Sequence, residues 1–157
     1  MIVRKKKRNA PFFVLALFTV LSGCRGPLFL LPGGPLEGVT APAPADWSFT
    51  DEIEVVQLET KPDEPYSVNI WVVALDGGLY VHSGSSQHTW IENMEADPRV
   101  RLRANESVYG LVAARVTSQA EFDRFIAAYE KKYGDPPRNS NIGDVYLFQL
   151  VAPESAI

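Results

Sequence analysis

The chain has 157 residues, 46% hydrophobic and 22% charged, which suits one globular domain and excludes a disordered polymer. Five of its 15 Lys and Arg residues fall within residues 1–23, which hold no acid; the other ten face 19 acidic residues, a formal net charge of −9. That balance excludes nucleic-acid binding, which needs a basic footprint, and charge-driven docking on anionic lipid.

The chain opens with "VRKKKR" and the 12-residue apolar run "APFFVLALFTVL". A bilayer span needs about 20 apolar residues, so the run is too short and reads as a secretory signal. The quartet Leu21-Ser22-Gly23-Cys24 follows and contains the only cysteine. It resembles the lipobox of bacterial lipoproteins. That resemblance implies cleavage before Cys24, a lipid on its sulfur and an acylated new amino end, anchoring at about 0.8 kcal/mol per buried CH₂. Arg25 stands where an aspartate favours inner-membrane retention in enteric bacteria. The implied location is therefore the cell envelope, periplasm-facing, on the outer membrane. The alternatives are an uncleaved signal anchor, or an ordinary cleaved signal that leaves a free thiol.

Residues 24–46 form the expected tether. "GPLFLLPGGPLEG" holds seven prolines or glycines, and "VTAPAPAD" continues the bias toward extended chain. The apolar "LFLL" within it has two readings, against lipid or against the domain. The expected organisation is thus a signal over 1–23, lipidated cysteine and tether over 24–46, and a folded domain over 47–157.

"EIEVVQLET" predicts a strand, broken by "KPDEP". "YSVNIWVVALD" (66–76) predicts one long strand, apolar on both faces, as in a covered barrel wall. "DGG" predicts a hairpin turn into "LYVHS". "TWIENMEADP" predicts a short helix with a Thr89–Glu92 capping box and a stop at Pro98. "RVRLRA" and "SVYGLVAARVT" predict a second hairpin. Ser118 and Glu121 open a second helix, whose apolar stripe of Phe122, Phe125, Ile126, Tyr129 and Tyr133 reads as core packing and whose end is Gly134. "DVYLFQLVA" predicts the last strand.

The segment "GLYVHSGSSQHTWIENMEADPRVRLRANESVYGLVAARVT" resembles the split β-barrel flavin-binding superfamily, the pyridoxamine-phosphate-oxidase-like fold. Its nearest branch is the flavin- or deazaflavin-dependent nitroreductase and quinone-reductase group. The resemblance rests on Trp90 opening a short helix, Asn93 three residues on, and Asp97-Pro98 closing it. It implies a mainly β, α+β split barrel of about six mostly antiparallel strands with two helices over about residues 50–152. It also implies a bound FMN or deazaflavin, a small-molecule redox substrate and a homodimer. Two departures keep a cofactor-free binding or structural lipoprotein open as the alternative. The oxidase branch carries a phosphate-binding lysine at the Trp90 position. The deazaflavin branch carries a Gly- and Arg-rich segment where this chain has "TKPDEPYS".

The candidate cofactor residues follow from phosphate and ring chemistry. Ser83, Gly84, Ser85 and Ser86 precede a helix start and form either a phosphate cradle or a polar connector. Arg101 and Arg103 share one strand face, to grip a phosphate as a pair or to meet solvent. Trp90 offers a ring surface, as do Trp71 and Tyr66, or belongs to the core. Asn69 is polar within an apolar strand and faces a ligand or a neighbouring strand. His82 is a ligand contact or a structural histidine, and His88 with Glu92 lacks a third metal ligand. No metal site and no catalytic residue is assigned. Zinc spacing, P-loop and dinucleotide fingerprints are absent from the sequence, as is a hydrolase nucleophile motif.

Overall fold

A computed structural model describes residues 31–84 and 87–154. The signal segment, Cys24 and the candidate residues Ser85 and Ser86 lie outside them. Eight strands are described: β1 (Val39–Ala41), β2 (Val55–Thr60), β3 (Tyr66–Trp71), β4 (Val73–Leu75), β5 (Gly78–Ser83), β6 (Arg99–Ala104), β7 (Ser107–Val116) and β8 (Tyr146–Val151). Two α-helices accompany them, α1 (Thr89–Ala96) and α2 (Gln119–Tyr133).

The hydrogen-bonded order is β3-β2-β6-β7-β8-β5-β4. Its two ends, β3 and β4, are consecutive in the chain and separated only by Val72. The sheet therefore curls until its first and last strands meet in one bent segment, a split β-barrel with two helices. The single strand expected over 66–76 is corrected to two. Its first half pairs β2, with Val55 opposite Trp71, and its second half pairs β5, with Val73 opposite Tyr80. Two partners that diverge cannot be followed by one straight strand, so the backbone turns at Val72. The Asp76-Gly77 turn that follows has positive φ at both residues, 52° and 79°, as a two-residue hairpin requires.

The barrel interior is filled by Leu58, Leu79, Val81, Ile91, Leu102 and Leu150, all buried. Each such side chain contributes about 1.5–3 kcal/mol relative to exposure. On β5 and β8 the alternate residues Tyr80 and Leu147 point outward and pack under Phe122, Phe125 and Tyr129 of α2. These strands are apolar on both faces because α2 covers the outer one. Helix α2 begins as expected, with Ser118 Oγ accepting the Glu121 N–H at 3.3 Å, and ends at Gly134, φ 90°. Helix α1 differs: its N-cap is His88, and the Thr89–Glu92 capping box does not form. Asn93 instead ties α1 to the barrel, donating to Thr60 Oγ1 at 3.0 Å.

The expected tether also needs correction over residues 31–46. This segment is a strap on the barrel. Gly33 and Ser67 exchange backbone hydrogen bonds of 2.8 and 3.0 Å, and Ser67 Oγ donates to the Gly34 carbonyl. Leu36 is 4% exposed, and its N–H donates to the buried carboxylate of Glu59. β1 then runs parallel to β7 from Ser107 to Tyr109, along the edge that β8 leaves open. Proline-rich composition permits this because an added edge strand needs few donors. Among the described residues no helix is long and apolar enough to cross a membrane.

Candidate functional site

The bend at Val72 takes Val72 out of the ladder, so its polar backbone atoms need other partners. The last turn of α2 supplies them. The Tyr133 hydroxyl accepts the Val72 N–H at 3.1 Å and lies 2.8 Å from the Val72 carbonyl; Lys132 Nζ donates to the same carbonyl at 2.8 Å and to that of Thr50. With the hydroxyl fixed there, the Tyr133 ring stacks on Trp71 at 5.1 Å and an interplanar angle of 21°. Tyr129 lies 4.8 Å from Tyr133, and His82 meets Tyr129 edge-on at 5.0 Å.

These four rings form one wall of a cleft of about 380 Å³, inside the range of small-molecule sites, roughly 300–1,000 Å³. The loop 135–139, Gly84 and Val145 complete it. Trp71 keeps 46% of its surface exposed, so the stack still has an open aromatic side. Burial pushes the His82 pKa down to about 4, leaving a neutral imidazole with one donor and one acceptor nitrogen near pH 7. Burial pushes Tyr133 up to about 12, with the Val72 backbone opposing, and so keeps its hydroxyl protonated.

The predicted site residues do not converge here. Asn69 and Trp90 line a second cleft of about 430 Å³, with Tyr66, Gln87, His88 and the strap residues Leu31 and Pro32. Trp90 is almost wholly buried and belongs to the barrel core, so its ring has little surface for a ligand. Asn69 sits opposite Gln57 on β2. Ser83 is buried at the end of β5, and Gly84 belongs to the aromatic cleft.

Arg101 and Arg103 do share one face, but neither lines either cleft. They lie opposite Glu59 and Gln57 of β2. Arg101 pairs with Glu59 at 3.4 Å and donates to the Leu36 carbonyl; Arg103 donates to Gln57 Oε1 at 3.3 Å and to the Asn105 carbonyl. Glu59 is 3% exposed, and a carboxylate so buried requires a cation and donors. Of the two residues expected either to grip a phosphate or to meet solvent, Arg101 ties the strap to β2 through Leu36 and Glu59, and Arg103 is tied to Gln57 and the turn at Asn105. Among the described residues no group of His, Cys, Asp and Glu is arranged to hold a metal.

The stripe expected as core packing is core, with Phe122, Phe125 and Tyr129 buried and Ile126 and Tyr133 packed against them; what the sequence reading did not assign is that Tyr129 and Tyr133 also line the cleft. The available signal was that the stripe runs into the last turn before Gly134, where a helix leaves its covering sheet.

Residues 66–141 match the sequence profile of the F420H(2)-dependent quinone reductase family, just under half of the chain. No curated protein matches the chain. Solved structures share the fold. The haem storage protein HutZ of Vibrio cholerae superposes with a TM-score of 0.53 at 21% identity, over 69% of this chain and 87% of that one. A Listeria innocua protein provisionally described as a pyridoxamine 5′-phosphate oxidase gives 0.53 at 16% identity, over 68% and 90%. A Bacteroides thetaiotaomicron protein provisionally described as conferring 5-nitroimidazole antibiotic resistance gives 0.53 at 12% identity, over 68% and 77%.

Proposed function

We propose that the domain is an oxidoreductase of the flavin or deazaflavin type, acting on a quinone or nitro compound, with the cofactor ring held in the aromatic cleft. The observation that carries this reading is one of overlap. The segment that matches the quinone-reductase profile, 66–141, includes every residue lining that cleft except Val145. The cleft fits such a group chemically. Trp71 and the half-buried Tyr133 present aromatic surface, backed by the buried Tyr129, and aromatic contacts of this kind contribute about 0.5–1.5 kcal/mol beyond area burial. The His82 imidazole, neutral and inside the wall, offers one N–H and one lone pair to ring heteroatoms. A bound and reduced cofactor supplies the hydride; the chain binds, orients and excludes water.

The test uses the full chain in mild detergent. Visible absorption is recorded as purified, and FMN and a deazaflavin are then titrated while Trp fluorescence is followed. Saturable quenching that Trp71→Ala abolishes supports the reading. A colourless protein indifferent to both ligands overturns it and leaves the cofactor-free alternative.

We further propose that the domain works at the bacterial cell envelope, facing the periplasm, through lipid on Cys24. The order of basic run, apolar run and Leu-Ser-Gly-Cys supports this. Metabolic labelling with palmitate tests it: incorporation is expected for the wild type and none for Cys24→Ala.

A further inference from the structure

We infer that Arg138 receives the anionic end of the ligand, so that the aromatic cleft selects a planar ring carrying a phosphate over the same ring without one. This rests on the ring-binding reading above and adds what the ring must carry. The first observation is an inventory of guanidinium partners. Asp97 pairs with Arg99, Glu59 with Arg101, Gln57 with Arg103, the Val145 carbonyl with Arg115 and Asp76 with Arg124. Arg138 alone among the described arginines has no hydrogen bond, ion pair or ring partner in the described chain, and it lines the cleft.

The second observation is how that arginine is held. Gly134 turns the chain out of α2 at φ 90°, and Pro136 and Pro137 fix two consecutive φ angles before Arg138. Asn139 then pins the loop, donating to the Asp144 carbonyl at 3.2 Å. The same Asn139 amide lies 3.4 Å from where a Gly84 side chain would begin, so this loop packs on the end of the β5 loop. A restrained backbone lowers the ordering cost of binding, and a guanidinium fork matches phosphate oxygens in pairs.

Asp135 lines the same cleft and forms no ion pair with Arg138. Opposite charges on one rim give the ligand a direction. Its phosphate goes to Arg138, away from Asp135, while a ring N–H or hydroxyl can face the carboxylate. Such polarity orients a flat ring that stacking alone would leave free to turn over.

The experiment compares FMN with riboflavin, which share a ring and differ in the phosphate. Binding to the full chain in detergent is read by flavin fluorescence. FMN is expected to bind roughly tenfold more tightly, the order of one charge-assisted contact. Arg138→Gln should bring FMN to the riboflavin value without moving riboflavin, and Asp135→Asn should tighten FMN. Added salt should narrow the wild-type difference. Equal affinity for the two flavins, or a preference that survives Arg138→Gln, overturns the inference while ring binding stands. Failure of both flavins to bind overturns the ring-binding reading and this inference together. Arg138 is exposed on a loop, so its variant is expected to fold, which circular dichroism checks.

Discussion

Tyr133 holds Val72 from both sides, its hydroxyl accepting the Val72 N–H at 3.1 Å and lying 2.8 Å from the Val72 carbonyl. One phenol on the last turn of a helix thereby fixes the point at which the sheet closes on itself. It also fixes the ring on which Trp71 stacks. Barrel closure and cleft geometry share one side chain.

Tyr133→Phe keeps the ring and removes the clasp. Lys132 still serves the Val72 carbonyl, so the principal loss is an unpaired, partly buried N–H. The expected cost is about 1–3 kcal/mol in urea unfolding. Trp emission should shift to the red as Trp71 gains freedom. A variant as stable as the wild type, with unchanged emission, would show that the bend does not depend on the phenol.

His82 makes stability depend on pH. Its folded pKa of about 4 lies below the unfolded value of about 6.5, so between those values the unfolded chain binds a proton that the folded chain refuses. The stabilisation is complete above about pH 6.5 and is lost as pH falls toward 4, by on the order of 3 kcal/mol. His82→Gln should flatten that part of the profile relative to wild type. Parallel profiles for the two proteins would sink the assignment.

Arg101→Met separates clasp from cofactor contact. It leaves the buried Glu59 carboxylate with the Leu36 N–H and no cation. With Arg101 partly exposed and its charge screened, the expected cost is about 1–3 kcal/mol, with flavin affinity unchanged. A normal melting curve with weakened flavin binding would return Arg101 to phosphate duty.

Gly38→Ala tests the strap by crowding it. A methyl group there would stand 2.7 Å from the Glu106 carbonyl oxygen and 2.8 Å from Val108 Cγ2, so strap or turn must move. That displaces the bond from the Val39 N–H to Glu106, 2.9 Å long. Limited proteolysis should then cut within residues 33–42 faster than in wild type, leaving the barrel whole. Equal cleavage rates would mean that the strap is held without this close approach.

The legible parts of this fold were local ones. Ser118, Glu121 and Gly134 announce α2 because a capping box and a left-handed cap are short-range devices. The Asp76-Gly77 turn is legible for the same reason. The Val72 bend was not, since Trp71, Val72 and Val73 are all good strand residues, the bend follows from pairing with two different strands, and the group that satisfies it, Tyr133, is 61 positions away. β1 was hidden in proline-rich chain because its pairing with β7 is set by a gap beside β8. The sequence put Arg101 and Arg103 on one face, but what they face depends on the strand register of β2. The aromatic cleft joins residues from β3, β5 and α2, and no local pattern foretells that meeting.

The bond pair between Gly33 and Ser67 also sets a leash length. From Cys24 to Gly33 is nine residues, which even at full stretch reach about 30 Å. If Cys24 carries lipid, the domain rides within about its own width of the bilayer instead of drifting on a long stalk. A hydrophobic acceptor dissolved in the membrane would then meet this protein in nearly two dimensions.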